Sequence, residues 1–140
     1  MNTSKKILLF IVIACTAMIT GCEKTEDDSD ISTAARDKFL GVWAGQSSGS
    51  QGTRNFNTTI TASNSAPDQI LMEDFDLSGA GTYVRAVISG SSLTIITTSI
   101  SGETYDGTGT LSSNGQTLTI NFTVDDGQTI DNRTAIAQKQ

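Results

Sequence analysis

The chain has 140 residues, enough for one modest domain, and carries 9 Lys and Arg against 15 Asp and Glu, a net charge of −6. This acidic balance disfavours binding to nucleic acid or anionic lipid, because both are negatively charged. Histidine is absent, and the two cysteines stand at positions 15 and 22. The rest of the chain therefore lacks the commonest general base, any disulfide and any thiolate for a metal.

Residues 1–21 have the layout of a secretory signal peptide. Two lysines at positions 5 and 6 precede the apolar run ILLFIVIACTAMIT, whose 14 residues would rise only about 21 Å as a helix, less than the roughly 30 Å of a bilayer core. Residues 19–22, ITGC, resemble a lipobox, the sequence recognised by the lipoprotein signal peptidase. The resemblance implies that Cys22 is acylated and that two or three acyl chains hold the protein on a lipid bilayer. Plain secretion is the alternative.

The segment EKTEDDSD, residues 23–30, has five carboxylates among eight residues and cannot pack into an apolar core. We therefore predict a flexible acidic tether over residues 22–35. Its start is also similar to the surface-export signal of Bacteroides-type lipoproteins, in which a Ser or Lys precedes acidic residues. The matching residues are Lys24, Glu26, Asp27 and Asp28. This resemblance implies display on the outer face of the outer membrane, and the alternative is that the protein faces the periplasm.

The remaining segment, residues 36–140, is predicted to fold almost entirely as β-strands. Just before it, Ser32 can cap one or two helical turns. From Gly41 onward, β-branched residues and Gly, Ser, Asn or Asp turns recur at a spacing typical of an all-β barrel or sandwich. The pattern predicts eight strands, at 41–48, 54–63, 68–75, 82–89, 92–99, 104–112, 116–124 and 129–137.

Alternation along these strands predicts one buried and one wet face. Leu118, Ile120 and Phe122 share the buried face of 116–124, whereas the inward face of 68–75 is not assigned, because its apolar residues occur on both parities. Short turns join neighbouring strands into an antiparallel meander and leave no room for a helical crossover. Closing a meander removes its two exposed edges. We therefore predict an eight-stranded antiparallel up-and-down barrel preceded by a short helix, with a two-layer β-sandwich as the alternative.

The start of the first strand, Gly41-Val42-Trp43, matches the GxW signature of lipocalins. Further stretches that look like small lipocalin-like lipoproteins of Bacteroides-type bacteria are RDKFLGVWAG at 36–45, GTGTLSSNGQTLTINFTVDDG at 107–127 and DNRTAIAQK at 131–139. The resemblance implies that Trp43 closes one end of the barrel and that Arg133, in the last strand, lies across its ring. The alternative is an exposed Arg133 with no partner.

The sequence contains no arrangement that indicates catalysis. Without histidine there is no ordinary catalytic triad, and the lysines after the leader stand near the termini. Three carboxylates in MEDFD, those of Glu73, Asp74 and Asp76, could bind Ca²⁺ or act as acid and base in glycoside hydrolysis. A charged surface or loop is the commoner explanation of such a cluster. We therefore predict a non-enzymatic protein without a cofactor or a bound metal.

A ligand site inside the barrel is predicted on the sixth strand. Tyr105, Gly107 and Gly109 share one face of that strand, and the two glycines could leave space beside the ring for a small apolar molecule. The alternative is that these glycines let a small barrel coil tightly.

Two functions follow from these alternatives. One is a lipoprotein that binds a small ligand or a partner at the barrel mouth. The other is a surface adhesion or structural module that contacts glycan or protein and has a solid barrel. An interior packed by Trp43, Phe56, Ile120 and Phe122 would count against an open ligand cup.

Overall fold

A computed structural model describes residues 28–140. The predicted leader, the lipidation site Cys22 and the export residues Lys24, Glu26 and Asp27 lie outside the described residues. One helix, α1 (Asp28–Asp37), precedes the strands. The strands are β1 (Gly41–Gly49), β2 (Gly52–Ala62), β3 (Gln69–Glu73), β4 (Tyr83–Ser89), β5 (Ser92–Ile100), β6 (Glu103–Leu111), β7 (Thr117–Asp125) and β8 (Ile130–Lys139).

The strands form a closed antiparallel barrel. Each strand pairs with the next along the chain, and β8 returns to pair with β1. In this closing contact Trp43 lies opposite Lys139, and Ser48 lies opposite Thr134. The eight-stranded up-and-down barrel is confirmed, and the sandwich alternative is wrong, because β1 and β8 leave no open edge between two layers.

The barrel has two ends, which we call the helix end and the plug end. The helix end holds α1, the start of β1 and the last residues of β8. The plug end holds the turn between β1 and β2 and the longest loop on that side, residues 74–82 between β3 and β4, which we call the plug loop. Because the chain enters β1 at the helix end, the plug end is the end of the barrel opposite the start of β1.

The helix begins earlier than the sequence pattern indicated. α1 starts at Asp28, so Ser32 lies within the helix and does not cap it, and residues 28–35, predicted as flexible tether, are helical. Ala35 and the following Phe39 are buried in the barrel core, and α1 contacts β4. Tertiary packing of this kind stabilises a short helix. Within residues 28–140, no helix is long and apolar enough to cross a bilayer.

Side chains fill the interior of the barrel. Trp43, Phe56, Ile120 and Phe122 are all at most 4% exposed and belong to one core cluster. On β3, the inward residues are Ile70 and Met72, which settles the strand whose pattern was ambiguous. An eight-stranded barrel is just wide enough to be filled in this way. The interior is therefore the packed one that counts against an open ligand cup.

Candidate functional site

The plug loop inserts two consecutive side chains into the mouth of the barrel. The ring of Phe75 is 1% exposed and contacts the rings of Phe56 and Phe122, with centroids 5.5 Å and 4.9 Å away. Asp76 follows it and is fully buried. Edge-on and tilted ring pairs at these separations are favourable beyond their burial. The plug loop thus closes the plug end of the barrel, and the residues that contact it belong to the strands.

The backbone of the plug loop is strained. Asp74, Asp76 and Leu77 have φ angles of 52°, 53° and 67°, in the left-handed region that residues with a Cβ seldom adopt. Local hydrogen bonds hold the turn: the Gly79 amide donates to Asp74 Oδ1 over 2.8 Å, and Thr82 Oγ1 donates to the Gly79 carbonyl over 2.6 Å. Such strain persists where surrounding contacts over-determine it, and it concentrates at functional sites.

The Asp76 carboxylate is held by groups from three strands. Ser47 Oγ on β1 donates a hydrogen bond to Asp76 Oδ1. Arg54 Nη1 on β2 donates to Oδ2 over 3.1 Å, and Arg133 Nε on β8 lies 3.1 Å from the same oxygen. Arg54 keeps 27% of its side chain exposed, whereas the side chains of Asp76 and Arg133 are fully buried.

Arg133 has further partners on the strands and turns around it. Its Nη1 donates to Asp131 Oδ2 over 2.6 Å, and its Nη2 donates to Ser47 Oγ over 2.8 Å. Gly49 provides the space for Asp131, because a Cβ at that position would lie 2.5 Å from Asp131 Oδ1. We call Ser47, Arg54, Asp76, Asp131 and Arg133 the buried ion cluster.

The two carboxylates of the buried ion cluster differ in their proton affinity. Burial raises the pKa of Asp76 above its usual value and outweighs the opposing effects of Ser47, Arg133 and Arg54. Burial acts to raise the pKa of Asp131 as well, but hydrogen bonds from Arg133 and Ser50 hold it below the usual value. The surroundings therefore favour the ionised form of Asp131 and disfavour the ionised form of Asp76.

The structure places Arg133 away from Trp43, so the contact that the resemblance implied is wrong. The cation over the Trp43 ring is Lys139, whose Nζ lies 5.4 Å from the ring centroid and donates to the Lys38 carbonyl over 2.9 Å. Trp43 itself is fully buried and donates from Nε1 to the Phe39 carbonyl over 2.8 Å. The reason is register: β8 sets Lys139 opposite Trp43 at the helix end and carries Arg133 to the plug end.

The sixth-strand residues predicted to bind a ligand are packed against β7. Tyr105 is fully buried, and its hydroxyl donates to Glu103 Oε2 over 2.9 Å. A Cβ at Gly107 would lie 2.6 Å from the Phe122 Cα, and a Cβ at Gly109 would lie 2.9 Å from Ile120 Cγ1. The glycines therefore permit close approach of the neighbouring strands.

The carboxylates of MEDFD do not converge. Glu73 Oε1 accepts from the Gly81 amide over 3.1 Å and Asp74 Oδ1 from the Gly79 amide, whereas Asp76 turns inward to the arginines. Among residues 28–140, no three His, Cys, Asp or Glu side chains are grouped to hold a metal ion. The cluster is thus divided between turn formation and the buried ion cluster.

Sequence reasoning missed the buried ion cluster as a site. A signal was present on β8, where Asp131 and Arg133 have the same parity as Ala135 and Ala137, and all four are buried. Strand alternation therefore placed a carboxylate and a guanidinium on the inward face. Their partner Asp76 comes from a loop, and nothing in the local pattern indicated that it would reach them.

Comparison with known proteins supports the fold and goes no further. No protein-family model matches the chain, and no curated protein matches it. A barrel described as EF1p2_mFAP2b bound to DFHBI is 17% identical over 77% of this chain and 98% of its own length, with a TM-score of 0.55. A redesigned beta barrel is 14% identical over 76% and 95%, with a TM-score of 0.56. The likeness is one of fold.

A protein from Bacteroides fragilis described as an outer membrane protein is also similar, at 17% identity over 76% of this chain and 52% of its own length. Its TM-score is 0.43.

Proposed function

We propose that the protein is an outer-membrane lipoprotein, anchored through acylated Cys22 and displayed on the cell surface, whose barrel binds a small ligand or a partner without catalysis. The resemblance of residues 19–22 to a lipobox and the acidic residues after them support the anchor and its location. The binding end is the plug end, opposite the end where the chain enters β1.

The buried ion cluster behind the strained plug loop is the observation that carries this proposal. Taking charged groups out of water costs several kcal/mol for each ion, and replacing a buried ion pair with apolar side chains is often neutral or stabilising. Arg133 and Asp76 are nevertheless both fully buried in a barrel whose other end is closed by apolar and aromatic groups. A charged cluster of this kind is a candidate binding site.

The fold is also compatible with ligand binding. A barrel of similar fold is described as bound to DFHBI, and closed eight-stranded barrels can hold one small molecule. In this chain the interior is filled, so binding requires the plug loop to move or takes place at its rim.

A second candidate function is a surface adhesion or structural module with a solid barrel. The packed interior favours it. Such a module would contact glycan or protein through its outer face and would carry no small ligand.

Native mass spectrometry of the full chain, purified from membranes in mild detergent, separates these two functions. A reproducible mass beyond that of the acylated protein supports ligand binding. An unliganded protein that still attaches to host cells or glycan-coated surfaces supports the adhesion module and contradicts the first function.

The anchor has a test of its own. Cys22→Ser should remove the acyl mass from the protein, whereas the matched control Cys15→Ser, inside the leader, should keep it. Proteolysis of intact cells then distinguishes the outer surface from the periplasm. An acyl mass that persists in Cys22→Ser would contradict acylation at Cys22.

A further inference from the structure

The plug loop places an aromatic ring and a carboxylate side by side in the mouth of the barrel. Phe75 and Asp76 are consecutive residues and are 1% and 0% exposed. Both belong to a loop, and every group that contacts their side chains in the ring pairs and ion pairs belongs to a strand. The loop can therefore leave without breaking the strand pairing that closes the barrel.

The strands provide a binding site for a carboxylate. Ser47 Oγ, Arg54 Nη1 and Arg133 Nε converge on the two oxygens of Asp76. Asp131 also lies on β8, and it pairs with Arg133 over 2.6 Å without a contribution from the plug loop. With the plug loop withdrawn, the strand groups of the buried ion cluster keep two positive charges and one negative charge. One monoanion restores neutrality.

The strands also provide a site for a flat apolar group. Phe56 on β2 and Phe122 on β7 flank the Phe75 ring, at interplanar angles of 75° and 57°. Both are at most 4% exposed only because Phe75 and the rest of the core cover them. The aromatic surface and the arginines lie next to each other, since consecutive residues of the plug loop reach both.

The plug loop fits this site imperfectly. Arg133 Nε lies 3.1 Å from Asp76 Oδ2, yet it is the buried side-chain nitrogen in the described part of the chain that makes no hydrogen bond. Three residues of the loop, Asp74, Asp76 and Leu77, adopt the left-handed conformation to bring the ring and the carboxylate into position. A free molecule has no such backbone constraint and can align its carboxylate with the guanidinium.

We propose that Phe75 and Asp76 occupy the binding site of a small monocarboxylate that carries an aromatic or other flat apolar group, and that this ligand binds by displacing the plug loop. The inference rests on the proposed function that the barrel binds a ligand, and it adds the chemical class and the route. Arg54, which is partly exposed at the rim of the site, is the first positive charge that an entering anion meets.

The test uses the full chain in detergent, with 3-phenylpropanoate as the probe and neutral 3-phenylpropanamide as its matched control, and protein-free micelles as the blank. Isothermal titration compares the wild type with the variant F75A/D76A, which empties the site. We expect 3-phenylpropanoate to bind the variant at least tenfold more tightly than the wild type, and the amide to show no such gain. Adding Arg54→Gln should weaken carboxylate binding at least fivefold, whereas Arg85→Gln, on the exposed outer face of β4, should not change it.

Several results would overturn the inference. Equal binding of the acid and the amide contradicts the carboxylate class, and equal binding by wild type and F75A/D76A contradicts displacement of the loop. If the double variant does not fold, the single variant F75A carries the same comparison. Native mass spectrometry of the wild type could find a neutral compound while 3-phenylpropanoate does not bind. That result contradicts the inference and still supports the proposed function. If no compound is bound and neither probe binds, both the inference and the proposed ligand-binding function are contradicted.

Discussion

Phe75→Ala should cost far less stability than the same truncation of its neighbour Phe122→Ala. The two rings are 4.9 Å apart and similarly buried, at 1% and 3% exposure. Removing a buried Phe from a core usually costs about 3–5 kcal/mol. Phe122 belongs to β7, which cannot withdraw without opening the barrel, so Phe122→Ala should lose this full amount.

Phe75 belongs to the plug loop, which can open when the ring is removed, so that no cavity remains in the core. Its three left-handed residues store roughly 1 kcal/mol or more each, about 3 kcal/mol together. This strain offsets most of the gain from burying the ring, and the ion pairs behind it roughly balance their own desolvation. Once the ring is gone the loop opens, so the loss of unfolding free energy is limited to the closing free energy of the loop, about 1–2 kcal/mol.

Urea unfolding, followed by the fluorescence of Trp43 at the opposite end of the barrel, measures both losses. Hydrogen exchange of the amides in residues 74–82 then reports whether the plug loop has opened. We expect fast exchange there in Phe75→Ala and unchanged protection in the strands. Equal losses for the two variants, with the plug loop still protected in Phe75→Ala, would refute this reasoning.

Three further predictions concern the charged groups. Arg133→Met should lower the free energy of unfolding by about 3–5 kcal/mol, because Asp76 and Asp131 lose a buried cation. Adding Asp131→Asn should recover part of this loss. If urea titrations show no recovery, the pairing of Asp131 with Arg133 is contradicted. The pKa of Asp131 is held below its usual value, so the ionised carboxylate stabilises the fold at a pH above the usual pKa of Asp. The difference in unfolding free energy between wild type and Asp131→Asn should therefore shrink as the pH falls from about 6 to about 3. A difference that widens over this range would contradict the lowered pKa. Lys139→Met should cost about 0.5–1 kcal/mol and shift the emission of Trp43, and an unchanged spectrum would argue against the cation over its ring.

The strands could be predicted from the sequence because each one is encoded by its own residues. Thr117 to Asp125 alternate between inward apolar and outward polar side chains, and this alternation predicts both the strand and its buried face. β3 was ambiguous for the same reason, since Leu71 is as apolar as its inward neighbours Ile70 and Met72. There, contacts with β2 and β4 decide the face.

The helix shows where a local signal was overridden. The acidic composition before residue 36 predicted a disordered tether, and a peptide of this composition would gain too little apolar burial to fold alone. In the protein, Ala35 and Phe39 pack into the helix end of the barrel. The segment is helical from Asp28, and the helix packs on residues of β4 that lie far away in the sequence.

By itself the sequence determined the strands and their antiparallel order, because alternation and short turns act between neighbouring residues. Only the tertiary structure decided which cation covers Trp43 and where Arg133 points, since both depend on the register between the first and last strands, which meet only when the barrel closes. Tertiary structure also decided the burial of Asp76. The local sequence predicts that a carboxylate in a loop is exposed to solvent, but the mouth of the barrel receives Asp76 and places it against two arginines.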